Sequence, residues 1–316
     1  MRDKISVIMS VYNESKEYLK DSIESILDQT YENIEFVIII DKPEETWRVN
    51  FIESFNDPRI KLIVNEKNIG LPKSLNVAIK NSTGKYIARM DADDISMPNR
   101  LEQQLKFIES TNYDLCGSNI QCFYNMKNQQ KIIHPCSFKN VRDLLRVKNC
   151  VVHPTWFGKR EIFLKLDGYR NIFSCEDYDF LMRAVQEGFT IGNVQEILLK
   201  YRLSEKSISR ANPGKQELIA EFLKEKFKKN QKFQMEEIDE YINSIQFAKR
   251  LDGYNKYWNM KNIRARYRAN KFPLYYVYTF LLTINIKYSI KEIYRKIYNR
   301  YIIKRDRECS NDNKKN

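Results

Sequence analysis

Tyr86-Ile87-Ala88-Arg89-Met90-Asp91-Ala92-Asp93-Asp94 is a short apolar run that ends in three carboxylates. Its Tyr and Ile content and its length suit a β-strand that stops at the acids. The same pattern recurs upstream. Glu35-Phe36-Val37-Ile38-Ile39-Ile40 ends at Asp41, and Lys4-Ile5-Ser6-Val7-Ile8-Met9-Ser10-Val11 stops at Tyr12-Asn13-Glu14. Near-continuous apolar runs of this kind suit parallel strands buried on both faces. Ile60 to Val64 reads as a further strand. Between the runs lie helical spacings: Ile23, Ile26 and Leu27, then Leu75 to Asn81, then Leu101, Leu105 and Ile108 after Pro98. Strands alternating with helices predict a doubly wound α/β sheet, whose ligands sit beyond the carboxyl ends of its strands. Asp41 and the Asp91 cluster both fall there.

Three carboxylates gathered at a strand end repel one another. A divalent cation, Mg²⁺ or Mn²⁺, relieves that repulsion, since such ions are held by one or two carboxylates together with phosphate oxygens. The plainer reading is an acidic turn capping the helix near Pro98. Cys175-Glu176-Asp177-Tyr178-Asp179-Phe180-Leu181, leading into a helix, is open in the same way. Acids at a helix start are ordinarily caps, and a carboxylate there can also act as a general base toward an attacking hydroxyl.

The chain resembles glycosyltransferase family 2 with the GT-A fold, in particular its bacterial surface-polysaccharide branch. The motifs, in order, are Ser6 to Glu14, Ser25-Ile26-Leu27-Asp28-Gln29-Thr30-Tyr31, Asn68-Ile69-Gly70-Leu71-Pro72-Lys73-Ser74-Leu75-Asn76, Gly84 to Asp94, His153-Pro154-Thr155 and Glu176-Asp177. The resemblance covers roughly residues 4 to 205 and implies a mixed, mostly parallel sheet flanked by helices, with a helical C-terminal extension. It implies an inverting enzyme that moves a sugar from a nucleotide-sugar, most often a UDP-sugar, to a hydroxyl of a glycan or lipid-linked glycan.

By the same resemblance, Ser10, Val11, Tyr12, Glu14 and Asp41 contact the donor nucleotide, with Asp41 accepting from a base N–H. Asp91 lies near the ribose, Ala92 belongs to the donor site, and Asp93 binds a Mn²⁺ or Mg²⁺ that bridges the diphosphate. His153 is a second metal candidate, set against an ordinary structural histidine. Lys73 is a candidate phosphate contact, set against a solvated cation. Asp177 is the catalytic base, with Glu176 beside it. Where the family usually has Asp-Asp-Gly-Ser after the second strand, this chain has Ile40-Asp41-Lys42-Pro43, which keeps only the second acid and loses the turn. An alternative role is a catalytically inactive nucleotide-sugar-binding scaffold, against which retention of both acid groups argues. No GxGxxG follows the first strand and no GxxxxGK[ST] occurs, which argues against the commonest dinucleotide and P-loop enzymes.

The 316 residues, 42% of them hydrophobic, suffice for a large core. We expect a catalytic domain over residues 1–214 and a basic, aromatic-rich helical region over 215–316. The stretch from about 113 to 175 reads as irregular. The six cysteines form no CxxC pair and the N-terminus has no signal-peptide pattern, which points to a reduced cytoplasmic protein.

Of the net +13, nearly all falls after residue 214, with about 24 Lys+Arg against about 12 Asp+Glu. A charge confined to the tail fits an anionic membrane surface at the inner face of the cell membrane, or an acidic partner, better than nucleic acid. Phe272 to Ile286 and the stripe Ile290, Ile293, Tyr294, Ile297 and Tyr301 suit an interfacial helix. Packing on the catalytic domain or on a second copy in a homo-oligomer is the alternative.

Overall fold

The computed structural model describes residues 2–124, 127–203, 212–269 and 286–312. Two compact units separate within it. The first comprises Met1–Leu145, Asn149–Ile172 and Glu176–Glu205, and the second Arg146–Lys148, Phe173–Cys175 and the C-terminal chain.

The first unit is built on β1 (Ile5–Val11), β2 (Ile34–Ile40), β3 (Ile60–Val64) and β4 (Tyr86–Asp91). β1 lies between β2 and β4, parallel to both, and β3 extends the sheet beyond β2. Their interiors are apolar because helices cover both faces: Ile5, Val7, Ile8, Met9 and Phe36 to Ile40 have no exposed surface. The register pairs Ser10 with Asp91 on one side and with Ile39 on the other. The carboxyl ends of three neighbouring strands therefore finish level, and Tyr12, Asp41 and the Asp91 cluster emerge from one edge. α1 (Lys16–Leu27), α2 (Trp47–Glu53) and α3 (Leu71–Lys80) connect these strands. Ser15 caps α1 by accepting from Tyr18 N.

Beyond β4 the sheet becomes mixed. With β5 (Ile95–Ser96), β6 (Leu115–Tyr124), β7 (Lys127–Ile132), β8 (Phe157–Lys159) and β9 (Ile191–Arg202), the order is β3-β2-β1-β4-β8-β6-β9-β5, and β7 pairs with β6. β8 is antiparallel to β4 and β6, whereas β6 and β9 run parallel. The helices here are α4 (Arg100–Thr111), α5 (Phe138–Leu145), α6 (Arg160–Lys165) and α7 (Glu176–Gln186). This is the GT-A architecture expected from the motifs.

The region from 113 to 175, expected to be irregular, is a correction: it supplies β6, β7 and β8 and two helices. β6 carries Ser118 and Asn119 fully inside, so its sequence neither alternates nor runs continuously apolar. Ser118 Oγ donates to Asn119 O (3.1 Å), and the remaining groups find partners distant in sequence. Ser118 N donates to Thr155 Oγ1 (3.1 Å), and Asn119 takes His134 N on Oδ1 (2.8 Å) and donates from Nδ2 to Gln195 O (2.7 Å).

The second unit is helical: α8 (Pro213–Lys228), α9 (Met235–Asn243), α10 (Ile245–Ala269) and α11 (Ile286–Asp312). No described helix is long and apolar enough to cross a membrane. The aromatic run Phe272 to Ile286 lies almost entirely outside the described residues. On α11, Ile290, Ile293, Tyr294, Ile297 and Tyr301 are all more than half exposed.

Candidate active site

Asp91 closes β4, and Asp93 and Asp94 follow in the turn to β5. Ligand atoms of the three carboxylates lie within 4.8 Å of one another. Arg202, at the end of β9, holds this turn by two bonds and ties it to α1 by a third. Its backbone N–H donates to Asp94 Oδ1 (2.7 Å), its Nε to the Asp93 carbonyl (2.7 Å) and its Nη2 to Asp21 Oδ2 (3.0 Å). The guanidinium is itself fixed over the rings of Tyr18 and Phe123. Ser22 adds a bond to the Asp91 carbonyl (2.8 Å).

Burial, then the charges of Asp91 and Glu14, push the Asp93 carboxyl up to about 7. Burial, Asp91 and Asp93 raise Asp94 well above the carboxylate range. Asp94 Oδ2 is buried without a hydrogen-bond partner among the described residues. An all-oxygen donor set, mutually repelling and with one buried oxygen unsatisfied, fits a hard divalent cation such as Mg²⁺ or Mn²⁺.

Arg89 lies beneath this cluster, 2% exposed. Its Nη2 is 2.5 Å from Asp91 Oδ1, while Nε and Nη1 have no hydrogen-bond partner among the described residues. β4 and α4 brace it from behind, since Arg100 Nη2 donates to the Arg89 carbonyl (2.7 Å). Its positive charge is felt by Asp93 and Asp94 and also by Glu176 and Asp177, so the two acid groups recognised separately in the sequence share one electrostatic environment.

Four residues at the start of α7 include three acids, and the structure distinguishes them. Asp179 is 1% exposed and is held by Arg170 and by Arg183 Nε (2.8 Å), an internal ion pair. Glu176 and Asp177 have no cationic partner among the described residues. Asp177 accepts from Tyr178 N (2.6 Å) and Asn149 Nδ2 (2.8 Å). Burial raises both groups, Glu176 to about 8 with the neighbouring Asp177 charge adding to it, and Asp177 to about 6. Near neutrality the pair therefore retains a single proton.

The remaining predicted residues have these settings. Asp41 is buried, and its carboxylate organises the turn before α3: Oδ1 accepts from Asn65 Nδ2 (2.8 Å) and Ile69 N (2.9 Å), and Oδ2 from Gly70 N (2.9 Å). Gly70 has φ 84°, the left-handed region glycine adopts without strain. Glu14 accepts from Tyr12 N (2.8 Å), and burial raises its carboxyl. Ser10 and Val11 are the last residues of β1, Tyr12 is 44% exposed, and Ala92 is buried. Lys73 is exposed on the first turn of α3.

His153 is packed among aromatic rings, 4.6 Å from Trp156 in an edge contact, with Nε2 2.9 Å from Tyr169 Oη. Burial, then Arg89, depresses its pKa, so the ring is neutral. Among the described residues the metal-capable group is Asp91, Asp93 and Asp94, and His153 is not part of it.

Sequence reasoning missed Arg202, Asn149 and the clamp between Asn76 and Tyr169, in which Asn76 donates to Tyr169 O and accepts Tyr169 N (both 2.8 Å). Asp94 is read in the sequence as one of three carboxylates suited to a cation, with the metal role given among them to Asp93 alone. Asn76 ends the motif that begins at Asn68, whereas Arg202, Asn149 and Tyr169 come from far along the chain and carry no local pattern.

The glycosyl transferase family 2 model matches residues 6–167. The uncharacterized glycosyltransferase MJ1057 of Methanocaldococcus jannaschii is 35% identical over 233 residues, 72% of this chain and 80% of that protein. The O-antigen biosynthesis glycosyltransferase WbnJ of Escherichia coli is 34% identical over 232 residues, 72% of this chain and 90% of that protein. Among solved structures, S. aureus TarS 1-349 in complex with UDP-GlcNAc superposes with a TM-score of 0.60 at 20% identity, covering 78% of this chain and 72% of that one. Taken with the acidic strand end and the α7 acid pair, these matches show that the chain belongs to glycosyl transferase family 2.

Proposed function

We propose that this transferase moves a sugar, with inversion, from a UDP-sugar to a hydroxyl of a glycan or lipid-linked glycan in surface-polysaccharide assembly. The observation that carries the reading is the gathering of Asp91, Asp93 and Asp94 into one group, in an environment shared through Arg89 with Glu176 and Asp177. The name of the E. coli relative supports the polysaccharide setting. The UDP-GlcNAc in TarS 1-349 is compatible with a uridine donor.

In this reading Asp93, with Asp91 and Asp94, holds a Mn²⁺ or Mg²⁺, which when bound supplies positive charge to the diphosphate leaving group. The Tyr12–Glu14 loop, Ser10, Val11 and the Asp41-ordered turn receive the nucleoside, and Lys73 faces its phosphates. Asp177 accepts the acceptor hydroxyl proton as that oxygen bonds to the anomeric carbon. The carbon's bond to the diphosphate oxygen breaks, and the nucleoside diphosphate departs with the electron pair. Asn149 keeps the Asp177 carboxylate oriented, and Glu176, the more strongly raised of the two, retains the proton that lets Asp177 stay ionised. The basic second unit keeps the protein at the inner face of the membrane.

The test is release of UDP from a panel of UDP-sugars, with acceptor glycans, in Mn²⁺ and in EDTA. Turnover in Mn²⁺ that Asp177→Asn lowers at least about a hundredfold supports the reading. Nucleotide binding without turnover for any donor and acceptor favours the scaffold role.

A further inference from the structure

The second unit contains a cavity of about 560 Å³, within the range of small-molecule sites. Its walls come from the four described helices of that unit and from Arg146 and Val147. Two carboxylates one turn apart on α8 hold four cations that line it. Glu217 pairs with Arg295, Nη1 to Oε2 at 2.8 Å and Nη2 to Oε1, and with Lys224 at 3.4 Å. Glu221 pairs with Lys291 at 2.5 Å and with Arg250. The knot carries two surplus positive charges on partly buried side chains. Burial lowers the Lys224 pKa; Glu217 opposes that, and Arg295 adds to it.

Two more cations line the cavity, Arg146 and Lys228. Both are exposed, and neither forms an ion pair among the described residues. Glu225, the other acid in the lining, is paired with Lys229 at 2.7 Å. Phe222 and Tyr241, stacked with centroids 5.1 Å apart, and Tyr294 give the same cavity ring surfaces. Surplus positive charge in a partly desolvated concavity is stabilised by an anion, and Arg side chains match phosphate oxygens in pairs. The volume exceeds that of a monatomic ion, and the rings offer stacking to whatever the anion carries.

We propose that this cavity binds the phosphate or diphosphate group of a ligand, as a site separate from the acidic loop of the first unit. Such a group could arrive on a soluble molecule or on a membrane lipid. Ile290, Ile293 and Ile297, 58%, 56% and 62% exposed on the helix that carries Tyr294, are where a lipid-borne phosphate would bring its own apolar surface.

The test uses the full chain in EDTA, so that the carboxylates of the acidic loop hold no cation. Pyrophosphate is titrated calorimetrically, and co-sedimentation is measured with vesicles of phosphatidylcholine alone or mixed with phosphatidic acid. Wild type and Asp93→Ala should bind alike, and the double variant Arg146→Glu, Lys228→Glu should bind at least about tenfold more weakly with an unchanged melting temperature. If the double variant melts early, Arg146→Glu alone carries the comparison. Pyrophosphate binding lost in the variant identifies a soluble ligand. Vesicle retention lost in the variant, without pyrophosphate binding, identifies a lipid headgroup. The proposal is overturned if neither probe binds, if the charge-reversed protein binds like wild type, or if Asp93→Ala abolishes binding. The donor reading is judged separately by turnover in Mn²⁺.

Discussion

Arg89 Nη2 sits 2.5 Å from Asp91 Oδ1, while its other two guanidinium nitrogens are buried without hydrogen-bond partners. A single cation thus faces Asp91 directly and influences Asp93, Asp94, Glu176 and Asp177. Removing it would leave buried acids uncompensated. Arg89→Met should lower stability by about 3–5 kcal/mol, in the range for breaking a buried pair. Thermal melting at neutral pH checks this. A melt like wild type would mean that the acids are neutral or solvated without Arg89.

The charge of Arg89 also lowers Asp177 against a larger upward push from burial. In the proposed role of base Asp177 must be ionised, so transfer under saturating donor should rise with pH through about 6. Because the pair titrates together, the profile gives apparent values for Glu176 and Asp177 jointly. A flat rate between pH 5 and 7.5 would contradict the assignment.

Stability has the opposite slope from the same pair. Glu176 is raised from 4.5 to about 8 in the fold, so between those values the native state binds more protons than the unfolded chain. Its contribution is therefore present at low pH and is lost as pH rises toward 8. Glu176→Gln should flatten that decline in a melting series, whereas an unchanged slope would assign it to other groups.

Arg202 fixes the acidic turn through bonds to Asp93 and Asp94 and anchors it to Asp21 on α1. Arg202→Ala removes the side-chain bonds and the cation over Tyr18, leaving the backbone bond to Asp94. UDP affinity in Mn²⁺ should fall about tenfold, about 1.4 kcal/mol. Arg202→Lys should rescue little of it, because a single ammonium cannot serve Asp93 O and Asp21 together. Calorimetric titration of each variant decides the point.

The central sheet and the acids at its edge were legible because each is written locally. Ile34–Ile40 and Tyr86–Asp91 are near-continuous apolar runs, interrupted by Glu35 and Arg89, with an acid at or just after the last position. What was not legible depends on partners distant in sequence. β6 became a buried strand only because Thr155, His134 and Gln195 satisfy Ser118 and Asn119. Asp41 reads as a nucleotide contact, yet its carboxylate also fastens Ile69 and Gly70, a geometry no spacing rule encodes. Among the α7 acids, only the approach of Arg170 and Arg183 separates Asp179 from Glu176 and Asp177.

The central claim is that Asp93 and its neighbours hold a divalent cation against the donor diphosphate while Asp177 acts only in transfer. Calorimetric titration of UDP into wild type, Asp93→Ala and Asp177→Asn, each in Mn²⁺ and in EDTA, tests it most directly. The account predicts tight binding in Mn²⁺ for wild type and Asp177→Asn, weakened at least about a hundredfold, about 2.7 kcal/mol, by EDTA or by Asp93→Ala. Equal affinity with and without the metal, or an equal loss in both variants, would contradict it.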